Sequence, residues 1–257
     1  MAISERHKQY LHLMGIQPWE LRHAQPLAVE PESKPEDMGT VVVAPETAAE
    51  PAGKIENRID IELPPQKPAV ATMDWEQLRT MVLHCEQCEL HRTRTQAVFG
   101  VGNQQAQWMV VGEAPGADED RQGEPFVGRA GQLLNNMLYA IGLKREQVYI
   151  ANVLKCRPPN NRDPKPEEVA CCEAYLQRQV ALIQPKLILA VGRIAAHNLL
   201  KTDVSLGKLR QQTFYYGATQ TPLIVTYHPA YLLRSPREKR KAWQDLQYAV
   251  TVYKQQM

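Results

Sequence analysis

The sequence predicts an α/β protein: a three-layer α/β/α sandwich around a central, mainly parallel, four-stranded sheet. Four short apolar runs have the length of buried strands, and segments with helical spacing of apolar residues separate them. Alternation of strands and helices at this spacing is typical of a parallel sheet with helices on both faces. The region from Ala71 onward is long enough to form one well-buried core.

The four predicted strands are the runs rich in branched apolar residues. They are Trp108–Gly112, Val148–Val153, Leu187–Val191 and Leu223–Thr226. Helices are predicted between them from N-capping residues, such as Asp74, and from apolar residues three or four positions apart. The predicted helices are Asp74 to about His84, Leu133–Ile141 closed by Gly142, Pro166 to about Ile183, Gly192 to about Leu200, and Pro236 to about Val252.

A glycine-rich turn, Gly112–Gly116, follows the first strand. Ligands of open α/β sheets bind at the carboxyl ends of the strands, so this turn is a candidate binding loop. The chain has no glycine-rich phosphate-binding motif ending in Lys-Ser/Thr, and the acidic stretch after the turn would repel phosphate. Residues 117–129 are predicted to be a polar loop with one large apolar side chain, Phe126. The loop suits a small, flat, neutral group.

The N-terminal seventy residues differ from the rest in composition. Residues 24–70 contain eight of the 19 prolines, nine acidic residues and four basic ones. Such a stretch cannot bury enough apolar surface to offset its ordering entropy, so a disordered acidic, Pro-rich linker is predicted. The remainder, residues 71–257, is modestly basic, which is compatible with nucleic-acid binding.

Residues 1–23 contain an apolar stripe around Trp19, and they are predicted to be a tethered partner-binding peptide or a helix that packs on the main domain. The pattern from Leu11 to Arg22 resembles the N-terminal peptide of the psi subunit of the bacterial DNA polymerase III clamp loader. The resemblance implies a clamp-loader or replisome partner.

No membrane span or export signal is expected from the sequence, so a cytoplasmic protein is predicted. Five cysteines in a reducing compartment indicate metal binding or burial in preference to disulfides. Cys85 and Cys88 form a Cys-x-x-Cys pair, and Cys156 and the adjacent Cys171 and Cys172 follow. Four thiolates suit tetrahedral zinc or an iron–sulfur cluster, and the wide spacing argues against a zinc ribbon.

Several motifs, taken together, resemble the type 4 uracil-DNA glycosylases, the iron–sulfur branch of that superfamily. The matching stretches are Gly112–Gly116, Gly123–Gly131, Tyr149–Pro159 and His228–Arg234, in family order. The resemblance implies the uracil-DNA glycosylase-like sandwich over residues 71–257. It also implies a bacterial, nucleoid-associated and monomeric enzyme that removes uracil from single- or double-stranded DNA.

The resemblance further implies a structural 4Fe–4S cluster held by Cys85, Cys88, Cys156 and Cys172, with zinc as the alternative. Cys172 is preferred to Cys171 because the family's spacing after Cys-Arg-Pro-Pro reaches it. Substrate-binding residues are expected at the sheet edge: Gly112, Glu113, Ala114, Phe126, Asn152 and His228.

Three of these residues have chemistry that suits a flipped pyrimidine. Phe126 offers a stacking face. The Asn152 amide presents an acceptor and a donor, which match N3–H and O4 of uracil but not the reversed pattern of cytosine. A His228 N–H directed at uracil O2 would stabilise the departing anion.

The water-activating base and the means of excluding thymine are open at this stage. Type 1 enzymes have an acidic residue where this chain has Ala114, so Glu119 is the candidate base. They also have a bulky ring where this chain has Gly116, and Glu113 is the candidate for excluding the thymine methyl group. Both Glu113 and Glu119 are predicted to be catalytic.

DNA binding is predicted for Leu232, Leu233 and Arg234, as an apolar wedge and a phosphate contact. An alternative function is a non-catalytic iron–sulfur DNA-binding accessory of replication, which the N-terminal peptide and Ala114 would suit. A related glycosylase that traps DNA covalently is disfavoured, because residues 200–215 contain no basic insertion.

Overall fold

The structure is a computed structural model, and it describes residues 60–61 and 68–256. Seven strands form one sheet: β1 (Asp60–Ile61), β2 (Val101–Gly102), β3 (Trp108–Gly112), β4 (Tyr149–Asn152), β5 (Leu187–Val191), β6 (Phe214–Tyr216) and β7 (Thr221–Thr226). Their order across the sheet is β1-β6-β7-β5-β3-β4-β2.

Nine α-helices connect the strands in the described part of the chain. They are α1 (Pro68–Ala71), α2 (Trp75–Leu83), α3 (Ala117–Gln122), α4 (Arg129–Ala140), α5 (Pro166–Ile183), α6 (Arg193–Leu200), α7 (Leu206–Leu209), α8 (Pro229–Arg234) and α9 (Lys239–Lys254). Short 3₁₀ turns lie at Glu89–Arg92, Arg145–Gln147, Pro159–Asn161 and Pro236–Glu238.

The four strands predicted from the apolar runs are β4, β3, β5 and β7, and all three pairings among them are parallel. Every residue in these strands is buried, because helices cover both faces of a parallel sheet. The predicted class, a three-layer α/β/α sandwich, is confirmed. The strand count of four is wrong, because short strands extend both edges.

The three missed strands are too short to show alternation in the sequence. Strands β2 and β6 pair antiparallel with β4 and β7, and β1 pairs parallel with β6. Asp60–Ile61 lies inside the range predicted to be a linker, so at least these two residues belong to the sheet. The rest of the predicted linker, apart from Pro68–Val70 in α1, lies outside the described residues.

Two separate cores account for the three layers. One lies between one sheet face and helices α5, α6 and α7, and contains alternate strand residues such as Met109 and Val111. The other lies between the opposite face and helices α4, α8 and α9, and contains Trp108 and Val110. Neighbouring residues of one strand therefore contribute to opposite cores, as the two-residue strand period requires.

Most predicted helices are confirmed with small shifts of their ends. Asp74 caps α2 through a reciprocal capping box with Gln77, and α4 ends just before Gly142. Residues 117–129, predicted to be a loop, contain helix α3 because Glu119 caps its first turn by accepting from the Gly116 N–H. No helix in the described ranges combines the length and apolarity needed to cross a bilayer.

Candidate active site

A cavity of about 650 Å³ opens at the carboxyl ends of the central strands, in the segments that follow β3, β4, β5 and β7. This is the sheet edge at which open α/β proteins bind ligands. Seven residues predicted from the sequence line it: Glu113, Ala114, Glu119, Phe126, Asn152, His228 and Arg234. The sequence therefore located the cavity correctly, although the motifs lie up to 120 residues apart.

Gly112 is the point at which three of these residues meet. In the register of β3 and β4, Gly112 lies opposite Asn152. A Cβ atom on Gly112 would lie 2.4 Å from Asn152 Oδ1 and 2.7 Å from the Phe126 ring. Only glycine permits this approach, so Gly112 acts by leaving room for its neighbours.

An aromatic ring and an imidazole ring lie side by side in the cavity. The centroids of Phe126 and His228 are 5.6 Å apart, and the planes are inclined at 30°. Because Asn152 Oδ1 and the Phe126 ring both lie close to Gly112, the cavity combines an apolar face, a carboxamide and an imidazole. These are the three groups that the sequence predicted would converge.

Asn152 has an unusual environment for a buried amide. The residue is 2% exposed, and its Oδ1 has no hydrogen-bond partner among the described residues. An unpartnered buried acceptor costs about 1–3 kcal/mol. A ligand N–H placed against Oδ1 would remove that cost, so the structure contains a ready acceptor for such a group.

The hydrogen bonds of His228 define its tautomer. His228 precedes α8, and its Nδ1 accepts the Ala230 N–H at 3.1 Å. Nδ1 is therefore unprotonated, and the proton of the neutral ring is on Nε2. Burial, helped by the charge of Arg234, lowers the pKa of His228 to about 4. At neutral pH the imidazole is a neutral hydrogen-bond donor.

The segment carrying Phe126 is strained and is held by anchored polar groups. Phe126 has φ of 54°, in the left-handed region that non-glycine residues seldom adopt. Glu119 Oε1 accepts the N–H groups of Val127 at 3.0 Å and Gly128 at 3.3 Å. Glu119 Oε2 accepts the Gly116 N–H, so both oxygens of the Glu119 carboxylate are bonded to backbone N–H groups. The structure therefore gives Glu119 a positioning role, in place of the predicted role of free base.

Arg145 anchors the same segment from the other side and was missed by the sequence analysis. Its guanidinium donates to the carbonyl oxygens of Pro125 at 2.6 Å and Phe126 at 3.2 Å. Gly131 lets helix α4 pack directly against the Phe126 backbone, because a Cβ on Gly131 would lie 1.8 Å from Phe126 O. Nothing in the sequence around Arg145 indicates this role, since the contact spans 19 residues.

Glu113 is the carboxylate in the cavity that no described hydrogen bond engages. Burial and the nearby charge of Asp163 raise its pKa to about 7, against the opposing effect of Arg193. Arg193 and Asp163 form an ion pair of 2.9 Å beside it. Glu113 can therefore exchange a proton near neutral pH.

The predicted wedge residues have different environments. Leu232 is 0% exposed and belongs to the core beneath α8, so the prediction that it enters DNA is wrong. Helical geometry turns this residue inward, and Leu233 is also packed against that core. Arg234 lines the cavity, and its contact with DNA stays a prediction.

Comparison with known proteins identifies the family. The profile described as "Uracil DNA glycosylase superfamily" matches residues 99–247. The chain is 48% identical over 170 residues to a type-4 uracil-DNA glycosylase of Archaeoglobus fulgidus, covering 64% of this chain and 85% of the relative. It is 43% identical over 179 residues to the type-4 enzyme of Thermotoga maritima, covering 68% and 92%.

The chain belongs to the uracil-DNA glycosylase superfamily.

Three of the cysteines of this superfamily member lie in or against one of the two cores. Cys156 and Cys172 are buried in the same core, and Cys88 packs against that core. Burial raises the pKa of the Cys172 thiol to about 12. Two polar side chains are directed at sulfur atoms: Arg94 Nη1 lies 2.9 Å from Cys156 Sγ, and the Tyr175 hydroxyl lies 3.2 Å from Cys85 Sγ.

Cys171 and Cys172 have different surroundings. The Cys171 thiol lies 3.3 Å from the Gln87 carbonyl oxygen, to which it donates, whereas Cys172 is fully enclosed beside Cys156. No three His, Cys, Asp or Glu side chains in the described ranges are arranged to hold one metal ion.

A buried lysine connects the cysteine region of the glycosylase fold to the active site, and the sequence analysis missed it. Lys155 is 1% exposed, and its Nζ donates to Asn152 O at 2.9 Å and to Gln179 Oε1 at 2.7 Å. Gln179 in turn donates to Phe99 O and to the Tyr149 hydroxyl. The only sequence signal was a lysine within a strongly apolar segment.

We expect His228 to remain neutral in the folded glycosylase between pH 7 and pH 5. An unfolded-chain histidine binds a proton near pH 6.5, so the unfolded state binds more protons than the folded state between about pH 6.5 and pH 4. The contribution of His228 to the free energy of unfolding is therefore lost as the pH falls through this window. NMR titration of labelled histidine and urea unfolding at pH 7 and pH 5 measure both effects.

The matched comparison is His228→Gln, which cannot take up the proton. The wild-type protein should lose more stability than this variant between pH 7 and pH 5. An imidazole signal of His228 that titrates near pH 6.5 would contradict the environment described above.

Proposed function

We propose that this chain is a monofunctional uracil-DNA glycosylase of base-excision repair. It hydrolyses the N-glycosidic bond of a flipped-out deoxyuridine in DNA and leaves an abasic site. The observation that carries the proposal is the convergence of the Phe126 ring, the unpartnered Asn152 Oδ1 and the neutral His228 in one cavity. The relatives with 42–48% identity are named type-4 uracil-DNA glycosylases.

Recognition of uracil rests on hydrogen-bond matching in a buried position. The flipped base stacks on Phe126, and Asn152 Oδ1 accepts its N3–H while the amide NH₂ donates to O4. Cytosine offers an acceptor and a donor in the opposite places. Each mismatched buried group costs about 1–3 kcal/mol, and two mismatches discriminate strongly.

The bond-breaking step needs a donor for the negative charge on the leaving base. As the C1′–N1 bond breaks, its electron pair stays on uracil and the sugar becomes cation-like. The Nε2–H of His228 donates to uracil O2 and stabilises the anion without transferring its proton. The neutral state of the ring fits this role, because the donor is in place at neutral pH.

Water then adds to C1′, and its proton passes to the carboxylate of Glu113. A general base works best with a pKa near the operating pH, and Glu113 has a pKa of about 7. Ala114, at the position where type 1 enzymes have an acid, supplies no base, and the Glu119 carboxylate is engaged by backbone N–H groups. We also propose that Glu113 excludes the methyl group of thymine.

Uracil release from a uracil-containing oligonucleotide, revealed by alkaline cleavage at the abasic site, tests the proposal. Asn152→Ala and His228→Ala should each lower kcat by about 10²–10³-fold, because each removes a donor or acceptor that acts on the bound base. His197→Gln is the control, since His197 bonds the Val204 carbonyl away from the cavity. No release by the wild-type protein, with its cluster intact, would favour a non-catalytic accessory.

We propose that Cys85, Cys88, Cys156 and Cys172 hold a 4Fe–4S cluster. The chemistry of the donors supports this proposal, because the four thiols come from three segments and interact electrostatically with one another. The N–H groups of Arg94 and the hydroxyl of Tyr175 lie against two of the sulfur atoms and suit thiolate sulfur. When bound, the cluster supplies structural cross-linking of these segments. Zinc is the weaker alternative.

Substitution of each cysteine in turn shows which of the two adjacent thiols, Cys171 or Cys172, is the cluster ligand. Cys172→Ser should abolish cluster binding, whereas the matched change Cys171→Ser should leave about four iron and four sulfide per chain. Iron, zinc and acid-labile sulfide analysis of anaerobic preparations measures this. Loss of iron from Cys171→Ser alone would overturn the ligand assignment, and stoichiometric zinc without sulfide would overturn the cluster.

We also propose that residues 1–23 are a partner-binding peptide that recruits the enzyme to the clamp loader, with residues 24–70 as its tether. These residues lie outside the described ranges, apart from Asp60–Ile61 and Pro68–Val70, and the proposal rests on the sequence pattern. A monomeric, cytoplasmic and nucleoid-associated enzyme is proposed on the same basis.

A pull-down with the full-length chain tests recruitment. The wild-type chain should retain a clamp-loader component, because Trp19 can act as an aromatic anchor in a partner groove. Trp19→Ala should retain at least tenfold less. Equal retention by both chains, or none by either, would reject the proposed partner.

A further inference from the structure

Tyr231 is an exposed aromatic residue at the mouth of the cavity. Among the described residues, four large apolar side chains are exposed: Leu83, Tyr139, Val204 and Tyr231. Tyr231 alone of these lines the cavity, and it is 38% exposed. An aromatic ring that remains exposed beside a binding site offers a surface for a ligand to cover.

The ring of Tyr231 is fixed by a stack of side chains beneath it. It lies on Tyr227, with centroids 5.3 Å apart and planes inclined at 21°. The guanidinium of Arg210 lies 5.0 Å from the Tyr227 ring centroid. Asp245, which is fully buried, holds Arg210 through a 2.8 Å ion pair. The stack therefore extends from the core to an exposed ring.

The backbone of Tyr231 is tied to the active site as well. Tyr231 lies in α8, and its N–H donates to the carbonyl oxygen of His228 at 2.9 Å. Arg234, one turn further on, lines the same cavity and carries a positive charge. Tyr231 thus lies three residues after His228, the proposed uracil-binding residue, and three residues before Arg234, whose charge suits a backbone phosphate.

We propose that Tyr231 is a stacking platform for the nucleobase adjacent to the flipped uridine on the same strand. The inference rests on the proposed function and adds a second base-binding position to it. One ring face is covered by Tyr227, and the exposed remainder receives the neighbouring base once the uridine leaves the stack. Stacking is tolerant of sequence, because every base has an aromatic face.

The proposal assigns to Tyr231 the DNA contact that the sequence had assigned to Leu232. Leu232 cannot make it, since it is enclosed in the core. The two residues are consecutive on a helix, so they point in directions about 100° apart. A preorganised ring also loses little conformational freedom on binding, which favours tight contact with single-stranded DNA.

The experiment uses the full-length holoenzyme and single-stranded oligonucleotides with 2-aminopurine on the 5′ or 3′ side of a non-hydrolysable deoxyuridine analogue. Stacking quenches 2-aminopurine fluorescence. The wild-type chain and Tyr231→Phe should quench the probe on one side beyond the effect of base flipping alone. Tyr231→Ala should lose this quenching and should raise KM for single-stranded substrate about 5- to 100-fold, with a smaller effect on kcat.

Controls separate this inference from the proposed function. Tyr139→Ala removes a tyrosine that is 52% exposed on α4 and outside the cavity, and it should behave as wild type. Inhibition by free uracil reports the flipped-base pocket without DNA, and Tyr231→Ala should change it less than twofold. No uracil inhibition and no uracil release by the wild-type chain would reject the glycosylase function itself.

Three outcomes would overturn the role of Tyr231 while leaving the glycosylase function standing. One is an unchanged KM and unchanged quenching in Tyr231→Ala. Another is a loss of inhibition by free uracil in Tyr231→Ala that is as large as the rise in KM for single-stranded substrate. That result would mean that Tyr231 only supports the pocket for the flipped base. The third is quenching that occurs only in a duplex with 2-aminopurine on the complementary strand, opposite the uridine. That result would mean that the Tyr231 ring fills the space that the flipped uridine leaves in the duplex.

Discussion

The active site depends on the parallel pairing of β3 with β4, which places Gly112 directly beside Asn152. The missing side chain of Gly112 leaves the space in which the carboxamide approaches the Phe126 ring. Any Cβ at this position would overlap both groups. A small residue at one strand end therefore determines whether the amide and the aromatic face can act on the same flat ligand.

Polar groups near Gly112 fix the conformations of the residues that line the cavity. Glu119 and Arg145 bind the backbone on either side of Phe126, whose left-handed conformation would otherwise relax. The Ala230 N–H fixes the tautomer of His228. Asn152 Oδ1 remains an acceptor without a hydrogen-bond partner among the described residues. Such preorganisation lets the site stabilise developing charge without rearranging during the reaction.

The buried hydrogen bonds of Lys155 join the active site to the cysteine region. Lys155 holds the Asn152 carbonyl and Gln179 of α5, and the adjacent residue, Cys156, faces Arg94. Helix α5 also carries Cys172. A cluster that cross-links the cysteine segments would thus stabilise the end of β4, where Asn152 lies. None of the described cysteines lines the cavity itself.

The sequence by itself determined the α/β class, the four central strands, the longer helices and the sheet edge at which Phe126, Asn152 and His228 meet. These features depend on local signals, namely apolar periodicity, capping residues and turn chemistry, and on a family resemblance of several motifs in order. Only the tertiary structure decided the contacts of Glu119, Arg145 and Lys155, the exposure of Tyr231 beside the cavity, and the burial of Leu232. Their roles arise from contacts between distant segments and from the direction a side chain takes on a short helix, which no local pattern in the sequence encodes.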